Sequence, residues 1–193
     1  QQALAELRHK WSAEGDKWPE LVHHMRMRIG VSAGDIVTGN MGSTMRMNYT
    51  MMGDVVNTAA RLEAAAKQYG VYIQCTRETL VLAGQDDFEW RHLDKVKVVG
   101  KSEALETVEI MAFKGHLSDE LMAMRDIYHQ GLASYRRQEW EEALARFAES
   151  AKREEVFPKR PTTPSLVYIE RCKFFQKNPP GPDWDGSWAL ITK

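Results

Sequence analysis

Two blocks of sequence decide the fold: Met27-Arg28-Ile29-Gly30-Val31-Ser32-Ala33-Gly34, continuing to Gly39-Asn40-Met41-Gly42, and Tyr49-Thr50-Met51-Met52-Gly53-Asp54-Val55-Val56-Asn57-Thr58-Ala59-Ala60-Arg61-Leu62-Glu63. Around the first, Met25, Met27, Ile29 and Val31 alternate with Arg26, Arg28 and Gly30. That period of two predicts a strand from Met25 to Val31 with one buried face. Ala33-Gly34-Asp35 turns the chain, with Asp35 read as a turn residue. Ile36-Val37-Thr38 starts a second short strand, and Tyr49 to Met52 is extended again. The second block opens a helix. Asp54 is placed to cap it, the run extends to about Tyr69, and Gly70 lies just past its end. Each helical residue advances about 100°, so Val55, Ala59, Leu62 and Ala66 gather on a core-facing side. Asn57 and Arg61 lie at about 200° and 240° from Val55, on the opposite side and one turn apart.

Outward from these blocks, Ala3 to Trp11 reads as the end of an amphipathic helix, broken by Gly15 and Pro19. Val71–Thr76, Val96–Val99 and Thr107–Ala112 are β-rich. Strands mixed with a few helices predict an α+β domain over residues 1–114. After about Lys114 the pattern turns helical, with Tyr128, Leu132, Tyr135, Ala143 and Phe147 at helix-like spacings. Gly131 through Phe147 resembles part of a tetratricopeptide-type helical hairpin. Ser165–Phe175 predicts a further helix, and the Pro/Gly-rich end, Pro179 to Trp188, cannot be regular helix. Residues 115–193 are thus expected to form a helical tail, with Trp184 and Trp188 pinning its end.

Composition bounds the function. Lys and Arg number 26 against 27 Asp and Glu, a formal net charge of −1, so no bulk attraction draws the chain to nucleic acid or anionic membrane. The two cysteines, Cys75 and Cys172, lack a CxxC partner, which argues against a zinc site or disulfide framework and suits a reducing, cytoplasmic setting. No apolar run is long enough to span a bilayer. Without an initiator Met, the chain is expected to be a piece of a longer protein, any membrane anchor of which lies elsewhere.

The two blocks, in this order, resemble the catalytic domain of class III nucleotide (adenylyl/guanylyl) cyclases of bacterial type, later portion only. Similarity continues more weakly to about Ala112, and the Pro-Ser-Leu and Trp-Asp-Gly tail resembles extensions on bacterial members. The resemblance implies a partial ferredoxin-like fold, a mixed or antiparallel sheet with helices, and an enzyme of signal transduction that forms cyclic AMP from ATP. It also implies a homodimer with sites at the interface, and two divalent ions (Mg²⁺ or Mn²⁺).

Carried onto this chain, Asn57 and Arg61 are the expected catalytic pair, stabilising attack of the ribose 3′-hydroxyl on the α-phosphate. The guanidinium fork suits phosphate oxygens, and the amide suits a sugar oxygen or ring atom. Thr50 occupies the family's base-reading position. Its hydroxyl suits the adenine amine, against the plainer reading of a strand former that only packs; a guanylyl cyclase stays open. Lys101 resembles a triphosphate contact, although Val99 stands where the family segment commonly has lysine, and an ordinary surface lysine is the other reading. The methionines from Met41 to Met52 could form an adaptable binding surface, and are expected instead to fill the core and a dimer contact. The two metal-binding aspartates of the family have no counterpart before Met25, so no metal ligand is assigned. The missing half belongs to an upstream segment, to another polypeptide, or to a lost activity. The last option describes a cyclase-like dimerisation or scaffold module.

Overall fold

The computed structural model describes residues 1–97, 104–154 and 162–188. They form an α+β arrangement with a mixed four-stranded sheet, a separate hairpin and a helical tail. Helices α1 (Gln2–Ala13) and α2 (Glu20–His23) precede strand β1 (Ile29–Val31), and β2 (Val37–Ser43) and β3 (Arg46–Met52) make the hairpin. Helix α3 (Asp54–Tyr69) leads to β4 (Ile73–Thr76), α4 (Arg77–Leu82), β5 (Phe88–Lys97) and β6 (Ala104–Phe113). The tail contains α5 (Asp119–Arg136), α6 (Trp140–Ala151) and α7 (Pro164–Lys177).

The sheet order is β1-β4-β6-β5, with β1 parallel to β4 and the other pairs antiparallel. Register places Gly30, Gln74, Glu109 and Arg91 in one cross-strand row, and Val31, Cys75, Val108 and His92 in the next. Successive rows face opposite sides of a sheet. Helix α3 lies on the Gly30 side, and only a glycine admits it so closely: a Cβ on Gly30 would stand 2.1 Å from the Ala59 carbonyl oxygen and 2.5 Å from the Glu63 nitrogen. Leu62, Ala66 and Tyr69 are the buried side of this helix, and Gly70 ends it in the left-handed conformation.

Two strand predictions need correction. The strand expected over Met25–Val31 is confined to Ile29–Val31, because β1 has a ladder only with the short β4, beginning where the Ile29 amide meets the Tyr72 carbonyl at 2.7 Å. Before it, the carbonyls of Met25 and Met27 accept from the side chains of Arg8 and Gln1. The strand expected at Val96–Val99 begins eight residues earlier, at Phe88, while Val98 and Val99 fall outside the described residues. Its buried Glu89, Arg91 and Asp94 mask the usual alternation. Helix α4 was not anticipated; Thr76 starts it by accepting from the Thr79 amide at 3.1 Å.

β5 is an edge strand, and the tail covers that edge. The His92 amide donates to Nε2 of His129 on α5 (3.2 Å), and the Leu93 carbonyl accepts from Tyr168 on α7 (2.7 Å). The Lys95 carbonyl accepts from the Trp188 amide (3.2 Å), within a short parallel bridge between Val96 and Trp188. Buried Arg91 pairs with Glu109 of β6 and with Glu154 just beyond α6. Behind these contacts an aromatic cluster of Tyr128, Tyr135, Phe147, Tyr168 and Phe175 packs with Trp140, Trp184 and Trp188.

Two expectations follow. Gly30→Ala would drive a methyl group into α3 backbone atoms, which cannot rotate away, so unfolding free energy should fall by about 2 kcal/mol or more. An unchanged urea midpoint would contradict the close strand–helix approach. For His129, burial, then the neighbouring His92 and Arg125, push the pKa down to about 4. The unfolded imidazole titrates near about 6.5. The folded pKa of this base is the lower one, so the unfolded chain binds the extra proton between these values. Stability is therefore expected to be full above about pH 6.5 and to decline toward about 4, with a smaller decline in His129→Gln, read as Tm against pH.

Candidate active site

Helix α3 follows β3 after a single residue, Gly53. The structure makes Gly53 the N-cap, with no side-chain cap, and Asp54 the first helical residue, so the expected capping role of Asp54 is corrected. The turn at residue 53 is closely packed: a Cβ there would stand 3.1 Å from the Asp35 carbonyl oxygen and 3.3 Å from Ile36 Cγ2, so a larger residue would press on its neighbours. As an acidic group in the first turn, Asp54 still complements the helix dipole.

Asn57 and Arg61 both project from the exposed side of α3, opposite Leu62 and Ala66. Neither side chain has a hydrogen-bond or ion-pair partner among the described residues. An arginine with no carboxylate beside it, next to an uncommitted amide, leaves several donors unused. Their helix is held from behind by the Gly30 contact and by Arg28, whose Nε meets Glu63 Oε1 at 2.9 Å and the Glu63 carbonyl at 3.3 Å. The helix therefore presents a fixed base with free polar groups on its outer side.

Thr50 lies on β3, exposed, in register with Gly39 of β2. With no side chain opposite it, the Thr50 hydroxyl is reachable from that face of the hairpin. The structure thus sets Thr50 on the strand feeding α3 and the other two on the helix. No hydrogen bond or ion pair joins the three, and Lys101 lies outside the described residues.

The methionines correct an expectation. Met45, Met47, Met51 and Met52 do not fill the core: each is more than half exposed, and Met45 is 94% exposed at the hairpin tip. Tyr49 is 74% exposed beside them. The cysteines are chemically quiet, since burial pushes Cys75 up to about 11 and Cys172 up to about 12. Among the described residues no three His, Cys, Asp or Glu side chains gather where they could share a cation. The two divalent ions of the resemblance therefore have no ligand set among the described residues.

The polar groups missed by sequence reasoning lie behind the site. Asp94, Arg171 and Tyr69 form a buried set, as do Arg91, Glu109 and Glu154. Their signal was a charged residue set among apolar ones in a strand or helix, which is equally the mark of a solvated face.

The family model described as "Adenylate and Guanylate cyclase catalytic domain" matches residues 5–112. The chain belongs to that family. It is 35% identical over 149 residues to the "Adenylate cyclase, terminal-differentiation specific" of Dictyostelium discoideum, covering 75% of this chain and 7% of that protein. It is 42% identical over 86 residues to an "Adenylate cyclase" of Anabaena cylindrica, covering 44% of this chain and 17% of the relative. The chain thus spans a small fraction of these relatives' length. Among solved structures, the adenylyl cyclase CyaB from P. aeruginosa matches with 28% identity and a TM-score of 0.46, covering 61% of this chain and 56% of that one.

Because Asn57 and Arg61 are exposed and have no hydrogen-bond or ion-pair partner among the described residues, replacing either with alanine should leave stability within about 0.5 kcal/mol of the parent chain. A fall of about 2 kcal/mol in a denaturant titration would instead assign them a structural role.

Proposed function

We propose that this cyclase-family chain is the later portion of an adenylyl cyclase catalytic domain, residues 1–114, with a helical tail over residues 115–193. Its parent converts ATP to 3′,5′-cyclic AMP and pyrophosphate. The observation that carries this reading is the exposed, uncommitted Asn57–Arg61 pair on a helix whose inner side is fully committed to the sheet. In the reaction the ribose 3′-hydroxyl oxygen forms a bond to the α-phosphorus and releases its proton to water, while the bond from that phosphorus to the bridging oxygen breaks and pyrophosphate leaves. Negative charge grows on the phosphate oxygens. Arg61 places its fork on them, and Asn57 orients the ribose, both before reaction begins. Thr50 accepts from the adenine amine, and Lys101 contacts the triphosphate.

The active form is a homodimer with its sites at the interface between two cyclase domains. Support comes from the β2–β3 hairpin, whose apolar side chains are exposed on both faces. A two-stranded hairpin is marginal alone, and bare apolar patches mark contact surfaces. The metal-binding aspartates belong to the part of the domain that pairs with this one, and divalent ions held there would supply charge neutralisation. No helix among the described residues is long and apolar enough to cross a membrane, and a cytoplasmic location is proposed for the segment. A second reading is a non-catalytic dimerisation module, favoured by the lack of a cation ligand set among the described residues and opposed by the uncommitted Asn57 and Arg61.

The test is cyclic nucleotide formation, with manganese, by the parent protein extended upstream of Gln1. Cyclic AMP from ATP is expected, little product from GTP, and none from the 193-residue chain alone. Asn57→Ala and Arg61→Ala should each lower kcat by about 10²–10³-fold. Equal activity with GTP would remove the role of Thr50. Robust activity of either alanine variant would sink the mechanism.

A further inference from the structure

We propose that Arg171, reaching from α7 in the tail, is a positioning residue for α3, fixing through Asp94 and Tyr69 the far end of the helix that carries Asn57 and Arg61. This rests on the reading that those two groups act on the substrate.

The contacts converge on one buried point. Arg171 Nη1 stands 2.8 Å from Asp94 Oδ2, and Nη2 donates to the Tyr69 hydroxyl at 3.1 Å. The Tyr69 hydroxyl in turn donates to the same Asp94 oxygen. Tyr168, also on α7, contacts the other Asp94 oxygen at 3.4 Å. The guanidinium lies over the Tyr168, Tyr69 and Trp188 rings, at 5.1, 5.6 and 4.8 Å from their centroids. Burial and then Asp94 push the Tyr69 phenol well above its ordinary range, so it remains a donor. All three principal groups are at least nine-tenths buried. Desolvation of such charges is costly unless each has partners, so removing one leaves the others stranded.

The mechanical consequence comes from where α3 is held. Its middle rests on Gly30, at Ala59 and Glu63. Its last residue, Tyr69, is held by the tail set, and Gly70 is packed so closely that a Cβ there would stand 2.0 Å from the Thr162 carbonyl oxygen. At about 1.5 Å of rise per residue, Tyr69 and Asn57 are roughly 18 Å apart, on opposite sides of the Gly30 support. A helix supported at its middle and held at one end cannot rock. Released at Tyr69, it can, and Asn57 then moves against the substrate. Displacement of a positioned group by about 1 Å is enough to cost up to about 10²-fold in rate. The tail, in this view, belongs to the catalytic apparatus mechanically while touching no substrate.

Two variants test this in the extended parent protein. Tyr69→Phe removes one oxygen and keeps the ring; Arg171→Met removes the charge and keeps most of the bulk. Both are expected to lower kcat about tenfold per folded molecule, with KM for ATP changed less than about twofold. In the 193-residue chain, Tyr69→Phe is expected to speed amide exchange across residues 62–69 while leaving β6 unchanged. A purely structural clamp would lower Tm and leave kcat per folded molecule intact, and that result overturns the proposal. Unchanged exchange in α3 overturns it as well, whatever the activity. Should Asn57→Ala also leave kcat untouched, the substrate reading fails, and the exchange measurement still decides whether α7 holds α3. If Arg171→Met does not fold, the phenylalanine variant carries the test alone.

Discussion

The outer edge of β5 is the constraint on which the rest of the structure depends. A sheet ending in a strand with open amides and carbonyls offers a template for another chain, and folded proteins cover or blunt such edges. Here the cover is supplied from three places in the tail: an imidazole from α5, a phenol from α7 and a backbone amide near the terminus. Each takes one group of β5 that β6 cannot reach. These acceptors and donors lie in sequence on His92, Leu93 and Lys95, so the tail must follow the strand closely. That requirement explains why a helical segment with its own aromatic core is joined to the sheet by polar contacts as well as by packing.

Covering the edge places charge in the interior. Arg91 and Arg171 both lie between sheet and tail, each paired with a carboxylate from the opposite side, Glu154 and Asp94 respectively, and both lose most of their hydration. Such pairs contribute little net stability over an apolar substitute, and their distinctive effect is on geometry. A leucine in place of Arg171 would tolerate a shifted tail. A guanidinium shared between a carboxylate and a phenol tolerates only one arrangement. The serines Ser150 and Ser165 extend the same logic, bonding to each other at 3.0 Å and linking α6 to α7 beneath the cluster.

The fold was legible wherever side chains repeat with a clean period. Helix α3 was read to its last residue because its apolar side and its Gly70 stop are both local signals. The hairpin was only half legible: Ile36–Thr38 and Tyr49–Met52 looked extended, but Gly39, Asn40 and Gly42 hid the continuous pairing to Ser43. Strand β5 was hidden for a different reason. Its buried positions hold Glu89, Arg91 and Asp94, whose partners lie on other strands or in the tail, and no local pattern reveals a partner that distant. In the site, Asn57 and Arg61 were placed on one exposed side by helical arithmetic alone. The buried set behind them was invisible, since Asp94 and Arg171 are 77 residues apart in the chain.

The molecule therefore divides its polar groups into two populations with opposite requirements. Behind α3, the buried guanidiniums of Arg91 and Arg171 are paired with carboxylates, because an unpaired charge in the interior is costly. In front of it, Asn57, Arg61 and Thr50 have no hydrogen-bond or ion-pair partner among the described residues, and in solvent their donors and acceptors are hydrated at little cost. Binding a nucleotide would exchange that water for phosphate and base, and the exchange is favourable only if the groups do not have to be ordered afresh. The rigidity of the matched side is what meets that condition. A soft interior behind α3 would let the outer groups relax toward any nearby carboxylate, and Arg61 would lose the freedom from partners that makes it useful. The same argument holds for the hairpin: its exposed methionines and Tyr49 gain a purpose only when a second surface covers them, and the fixed junction at Gly53 sets where that surface must lie relative to the helix.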